Sequence, residues 1–120
     1  SIWGISFKPK TDDIREALSL FIIEKLLSAG ASVTVHDPVA IENAKAHFGD
    51  KVNYAVSNYA ACEGADALVI NTEWNEYRQP DFQKLKELMN GNVIFDGRNL
   101  YNPDTLKKIG IKYVGVGIGN

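Results

Sequence analysis

The sequence is poor in cysteine, in histidine and in net charge, and each shortage narrows what the chain can be. Its single cysteine, Cys62, has no partner for an internal disulfide. Its two histidines, His36 and His47, are too few and too far apart to frame a zinc site, so no metal ligand set is expected. Thirteen Lys and Arg against fifteen Asp and Glu leave a formal charge of −2, which gives no general reason to bind nucleic acid or an anionic membrane. Apolar runs such as Ala67-Leu68-Val69-Ile70 fall far short of the roughly 20 residues a membrane span needs. No basic segment followed by an apolar one opens the chain as a leader would. A cytoplasmic protein is expected, with any anion site confined to a local cluster. Also missing is a glycine-rich phosphate loop. Gly115, Gly117 and Gly119 are followed by no helix, and Gly4-Ile5-Ser6-Phe7-Lys8 lacks the glycines of a dinucleotide fingerprint. NAD binding by that route is therefore not expected, although Asp37 occupies the place of a ribose-binding acid.

What is present is core material. Hydrophobic residues make up 45% of 120 positions, enough for one folded domain spanning 1–120. Residues 2–7 form a β-prone run that stops at Lys8-Pro9. A helix is predicted from about Asp13 to Ala29, with Asp13 and Glu16 spaced as a capping box and Leu18, Phe21, Ile22 and Leu26 as its apolar stripe, widened by Leu20, Ile23 and Leu27. The alternation continues with strands at 31–36, 52–54, 67–71 and 93–95, helices at 39–48, 58–63, 82–89 and 102–109, and a possible edge strand at 113–117. Strands alternating with helices predict parallel pairing and right-handed crossovers. The expected fold is α/β: a three-layer, Rossmann-like, doubly wound parallel sheet of order 3-2-1-4-5, with the extra strand at its edge.

Such sheets bind ligands beyond the carboxyl ends of their strands. The loops there carry Lys8, Lys10, Arg15, Arg78 and Arg98, so an acidic chain concentrates cations on one edge. The first and fifth strands would flank the fourth, about 10 Å apart, so that Lys8 and Arg98 could reach one diphosphate. The alternative is that both make surface ion pairs with Asp12, Glu73 or Asp96. Cys62 reads as a small buried thiol rather than a nucleophile, and Trp74 and Tyr77 read as packing residues.

Three segments read together carry more: residues 4–17, from Gly4 through Phe7-Lys8-Pro9 to Asp12-Asp13-Ile14-Arg15-Glu16-Ala17; Thr72-Glu73-Trp74-Asn75-Glu76-Tyr77-Arg78; and Asp96-Gly97-Arg98-Asn99. Together they resemble the C-terminal, UDP-binding domain of the UDP-glucose/GDP-mannose dehydrogenase family across nearly the whole chain. The resemblance implies that Phe7, Lys8 and Arg98 contact the nucleotide sugar, UDP-glucose or a related UDP-sugar. It implies that Arg15 approaches NAD, held mainly by an N-terminal domain. In that family a Rossmann domain, a central helical region and the catalytic cysteine precede this domain, so no catalytic residue is expected here and the isolated domain would be inactive. The parent enzyme would be a homo-oligomeric oxidoreductase that oxidises a primary alcohol to a carboxylate in two NAD-dependent steps. One departure is Leu18, where a proline usually follows the Arg-Glu-Ala segment. An alternative from another class is a phospho-receiver-like signalling domain binding magnesium through acids such as Asp12 and Asp13. It lacks an aspartate at the end of the third strand.

Overall fold

The computed structural model describes residues 1–6 and 18–115. In chain order its elements are β1 (Ile2–Trp3), α1 (Leu18–Ser28), β2 (Thr34–His36), α2 (Ile41–Phe48), β3 (Asn53–Tyr54), α3 (Asn58–Cys62), β4 (Ala67–Ile70), α4 (Phe82–Leu88), β5 (Val93–Asp96), α5 (Pro103–Lys108) and β6 (Lys112–Gly115). Short 3-10 turns at Gly49–Lys51 and Asn75–Tyr77 complete the set. The strands form one sheet of order β3-β2-β1-β4-β5-β6, with every pairing parallel. The expected order is thus observed, and the possible edge strand is a true sixth strand that begins one residue earlier, at Lys112.

The period-2 alternation of the strands divides the core in two. Ile2, Ile5, Val33 and Val35 pack with Ile23 of α1 and with Ala44 and Phe48 of α2. Trp3, Leu68, Ile70 and Ile94 pack on the other face with Cys62 of α3, Leu85 of α4 and Leu106 of α5. Neighbouring residues Ile2 and Trp3 therefore lie in opposite layers, and the sheet sits between two sets of helices. No helix among the described residues is long and apolar enough to cross a membrane.

Helix α1 departs from its predicted stripe at Phe21, which is 57% exposed, while Ile23, on the widened side of that stripe, is fully buried. The segment Leu18-Ser19-Leu20-Phe21-Ile22-Ile23 is apolar nearly all round, so periodicity alone does not fix its rotation. The buried hydroxyl of Ser19, which donates to the Ile5 carbonyl, helps set it. The predicted start at Asp13 and its capping box lie outside the described residues. Ser57, Asp81 and Asn102 accept from the first-turn N–H groups of α3, α4 and α5, whereas Ala40 gives α2 no side-chain cap.

Candidate functional site

Strand register brings the loops to one edge. Trp3 is level with His36 on one side and Ile70 on the other, and Ile70 is level with Asp96. The chain therefore leaves β1, β2, β4 and β5 at a common height, through residues 4–6, 37–40, 71–78 and 97–101. This is the carboxyl edge on which a doubly wound sheet binds its ligand. β4 lies between β1 and β5, as the two-cation geometry requires.

At the end of β2, Asp37 is buried and takes four backbone donors. Its Oδ2 accepts from Ile5 N–H at 2.8 Å and Ser6 N–H at 3.4 Å, and its Oδ1 accepts from Val39 and Ala40 N–H at 2.9 Å each. The Asp37-Pro38 pair thus makes an Asx turn into α2 and pins the exit of β1. Thr72 joins the same clamp by donating to the Ser6 carbonyl at 2.8 Å. Gly4, at φ +92°, passes so close that an added Cβ would stand 2.4 Å from Thr72 Oγ1. With both oxygens engaged, Asp37 has a structural task where a dinucleotide fold would place its ribose acid. These residues do not fit a dinucleotide held by the first crossover of this chain.

His36 is buried beside that clamp. Its Nδ1 lies 2.8 Å from the Tyr77 hydroxyl, which donates to the His36 carbonyl at 3.2 Å, and its Nε2 faces Glu76 at 4.0 Å. Burial pushes the imidazole below its ordinary value, opposed by the nearby Asp37 carboxylate. Burial also raises the Glu76 carboxyl, with Asp37 adding to the effect. Tyr77 is fully buried and stacks on Trp3, ring centroids 5.0 Å apart, which makes it a packing residue as expected.

At the end of β5, Asp96 is 1% exposed and again takes four donors. Its Oδ1 accepts from Arg98 N–H at 2.9 Å; its Oδ2 accepts from Leu100 N–H at 2.6 Å, Tyr101 N–H at 3.2 Å and the Tyr113 hydroxyl at 2.8 Å. Asn99 between them adopts φ +54°, which asparagine tolerates better than most residues. Arg98 itself is exposed, and its Nε–H donates to the Asn71 carbonyl at 2.9 Å, just past β4. On this same loop Asn71 Nδ2 and Trp74 Nε1 are buried donors without a hydrogen-bond partner among the described residues.

Of the residues expected to bind substrate or cofactor, Arg98 stands on the ligand edge; Phe7, Lys8 and Arg15 lie outside the described residues. Of the expected ion-pair partners of Arg98, Glu73 meets Arg78 at 3.4 Å and the Asp96 carboxylate accepts the donors just named, while Asp12 lies outside the described residues. The same engagement of Asp37 and Asp96 leaves a receiver-like magnesium site without strand-end carboxylates at β2 and β5, while Asp12 and Asp13 lie outside the described residues. Cys62 is fully buried, and burial raises its thiol. His47 is remote from His36 and faces Glu24 at 3.3 Å.

A family model, the UDP-glucose/GDP-mannose dehydrogenase family UDP binding domain, matches residues 1–103. The chain belongs to this family. It is 48% identical over 122 aligned residues to a UDP-glucose 6-dehydrogenase of Pseudomonas aeruginosa, covering 98% of this chain and 27% of that protein. A UDP-glucose 6-dehydrogenase of Rhizobium meliloti is 41% identical, with 98% and 26% covered. Among solved structures, a UDP-glucose dehydrogenase from Pyrobaculum islandicum superposes with a TM-score of 0.81 at 34% identity, covering 98% of this chain and 25% of that one. The family's UDP-binding fold is therefore the fold described above. The chain spans about a quarter of the length of the curated relatives it matches.

Proposed function

We propose that this chain is the nucleotide-sugar-binding domain, residues 1–120, of an NAD-dependent UDP-glucose 6-dehydrogenase. The observation that carries the reading is Arg98: an exposed guanidinium at the carboxyl edge of β5, tethered by its backbone to Asp96 and by its side chain to the Asn71 carbonyl. A planar fork in that place suits the oxygens of a diphosphate. Phe7 and Lys8 supply the neighbouring contacts, and Arg15 meets NAD across a cleft whose other wall belongs to the remainder of the enzyme. Within the whole protein, NAD supplies the hydride acceptor for converting UDP-glucose to UDP-glucuronate. This domain orients the sugar nucleotide and neutralises its phosphates. The parent enzyme is a cytoplasmic homo-oligomer, and the domain alone is inactive because the nucleophile and main cofactor site are not encoded in it.

Calorimetric titration with UDP, run beside magnesium chloride, tests the binding role. UDP binds weakly, because one wall of the cleft is absent, and it shifts the amide resonances of residues 96–99. Saturating UDP that leaves those resonances unmoved sinks the reading, and magnesium binding in its place favours the receiver-like alternative. Incubated with NAD and UDP-glucose, the chain alone produces no NADH; turnover by purified chain contradicts the division of labour.

A further inference from the structure

We propose that Asp96 is the positioning residue for Arg98, holding the arginine so that its guanidinium meets the nucleotide phosphates. The inference rests on the UDP assignment above and concerns a residue that does not itself touch ligand. Three donors crowd Oδ2 and one holds Oδ1, and the residue is 1% exposed, so Asp96 is turned into the protein rather than toward a ligand and acts through the loop it organises. Its two oxygens bracket Asn99: Oδ1 holds the residue before it and Oδ2 the two after, which fixes the left-handed turn that carries Arg98 outward. The second tether, Arg98 Nε–H on the Asn71 carbonyl, ties the side chain to the strand alongside. A fork held at its backbone and at Nε loses less freedom when it closes on a phosphate than a loose surface arginine does.

The chemistry requires a carboxylate at this position. Every neighbour of Asp96 named here is a donor, so an asparagine has no satisfactory orientation. One flip turns its amide hydrogens toward Arg98 N–H, and the other turns them toward two N–H groups and a phenol. Tyr113 remains a donor throughout the working range, because burial together with the Asp96 contact pushes its phenol up.

UDP titration of the wild-type chain, Asp96→Asn, Arg98→Ala and the double variant provides the test, with the Arg98 Nε–H resonance followed by NMR without ligand. Asp96→Asn is expected to weaken UDP binding about tenfold, the lower end of what a charge-assisted contact contributes. It should also speed solvent exchange of Arg98 Nε–H and cause no further loss in the Arg98→Ala background. Losses that add in the double variant, or an Asp96→Asn protein with wild-type affinity, overturn the proposal while leaving the UDP reading intact. Arg98→Ala binding UDP as tightly as wild type overturns the UDP reading, and this proposal with it. Should Asp96→Asn fail to fold, Tyr113→Phe removes a single donor. It is expected to weaken UDP about threefold, again only while Arg98 is present, and an additive loss overturns the proposal equally.

Discussion

Asp37 and Asp96 stand at the ends of β2 and β5, both buried and both accepting from four donors, yet they join different things. Asp37 links segments distant in sequence: its bond to Ile5 N–H spans 32 positions, and its other oxygen starts α2. Asp96 organises mainly its own loop, with partners two, four and five residues on, and among the described residues Tyr113 is its one distant donor. The same side chain, one residue apart in height on one sheet, thus serves the fold at β2 and an exposed arginine at β5. What distinguishes them is sequence separation, because a bond between remote segments is lost with the tertiary structure, whereas a bond inside a turn can fail while the sheet stays intact.

The largest expected effects lie at the β2 end. Gly4→Ala forces a side chain into φ +92° and puts its Cβ within 2.9 Å of the Thr72 backbone nitrogen, which cannot swing aside. Backbone strain and overpacking together should cost about 3–5 kcal/mol in urea unfolding of the chain. Asp37→Ala follows at about 3 kcal/mol, since it orphans the buried Ile5 and Ala40 N–H groups. If Asp37→Ala costs no more than the loss of a surface ion pair, about 1 kcal/mol or less, the contrast between long-range and local anchors fails.

At the β5 end the expected effect moves from stability to ligand. Arg98→Ala should leave urea unfolding within about 0.5 kcal/mol of wild type, as an exposed side chain does. It should weaken UDP binding by roughly 10- to 150-fold, the range for one charge-assisted contact. In the full-length enzyme it should raise the KM for UDP-glucose, whereas Arg15→Ala should raise the KM for NAD. The reverse pattern would mean that the cleft has been drawn the wrong way round. If both arginines only made ion pairs, neither Michaelis constant would move.

These two ends also mark how far the sequence could be read. The strand order was legible because apolar runs alternate with amphipathic stretches and handedness leaves few topologies. Arg98 was legible because a cation after an apolar strand falls on the ligand edge. The roles of Asp37 and Asp96 were not, although each sits at the end of a strand before a turn residue, in Asp37-Pro38 and Asp96-Gly97. That pattern signals an Asx turn, which the local donors fit, but no local pattern announces the distant donors: Ile5 and Ser6, just past β1, for Asp37 and Tyr113 of β6 for Asp96. The rotation of α1 was hidden for a related reason: its apolar residues surround the helix, and a serine hydroxyl helps choose the buried side.

The smallest expected effect sharpens the comparison further, because the β2 end carries a buried imidazole whose pKa burial lowers. His36 is buried against Tyr77, and burial holds its imidazole below the ordinary value of 6.5, with Asp37 opposing. A base whose pKa is lower folded than unfolded is bound by more protons in the unfolded chain, so stability falls as pH drops below 6.5 and levels off only below the folded value. The Glu76 carboxyl, 4.0 Å from Nε2, is itself raised by burial and loses its charge earlier than an ordinary glutamate on acidification, which removes support for an imidazolium. The wild-type chain should therefore lose more stability between pH 7.5 and pH 5 than His36→Asn, measured as the difference in urea midpoint. The Arg98→Ala chain should follow the wild-type pH curve, because β1 and β4 stand between its strand and that of the ring. A His36→Asn chain with the full wild-type pH dependence would move the acid sensitivity away from the β2 end.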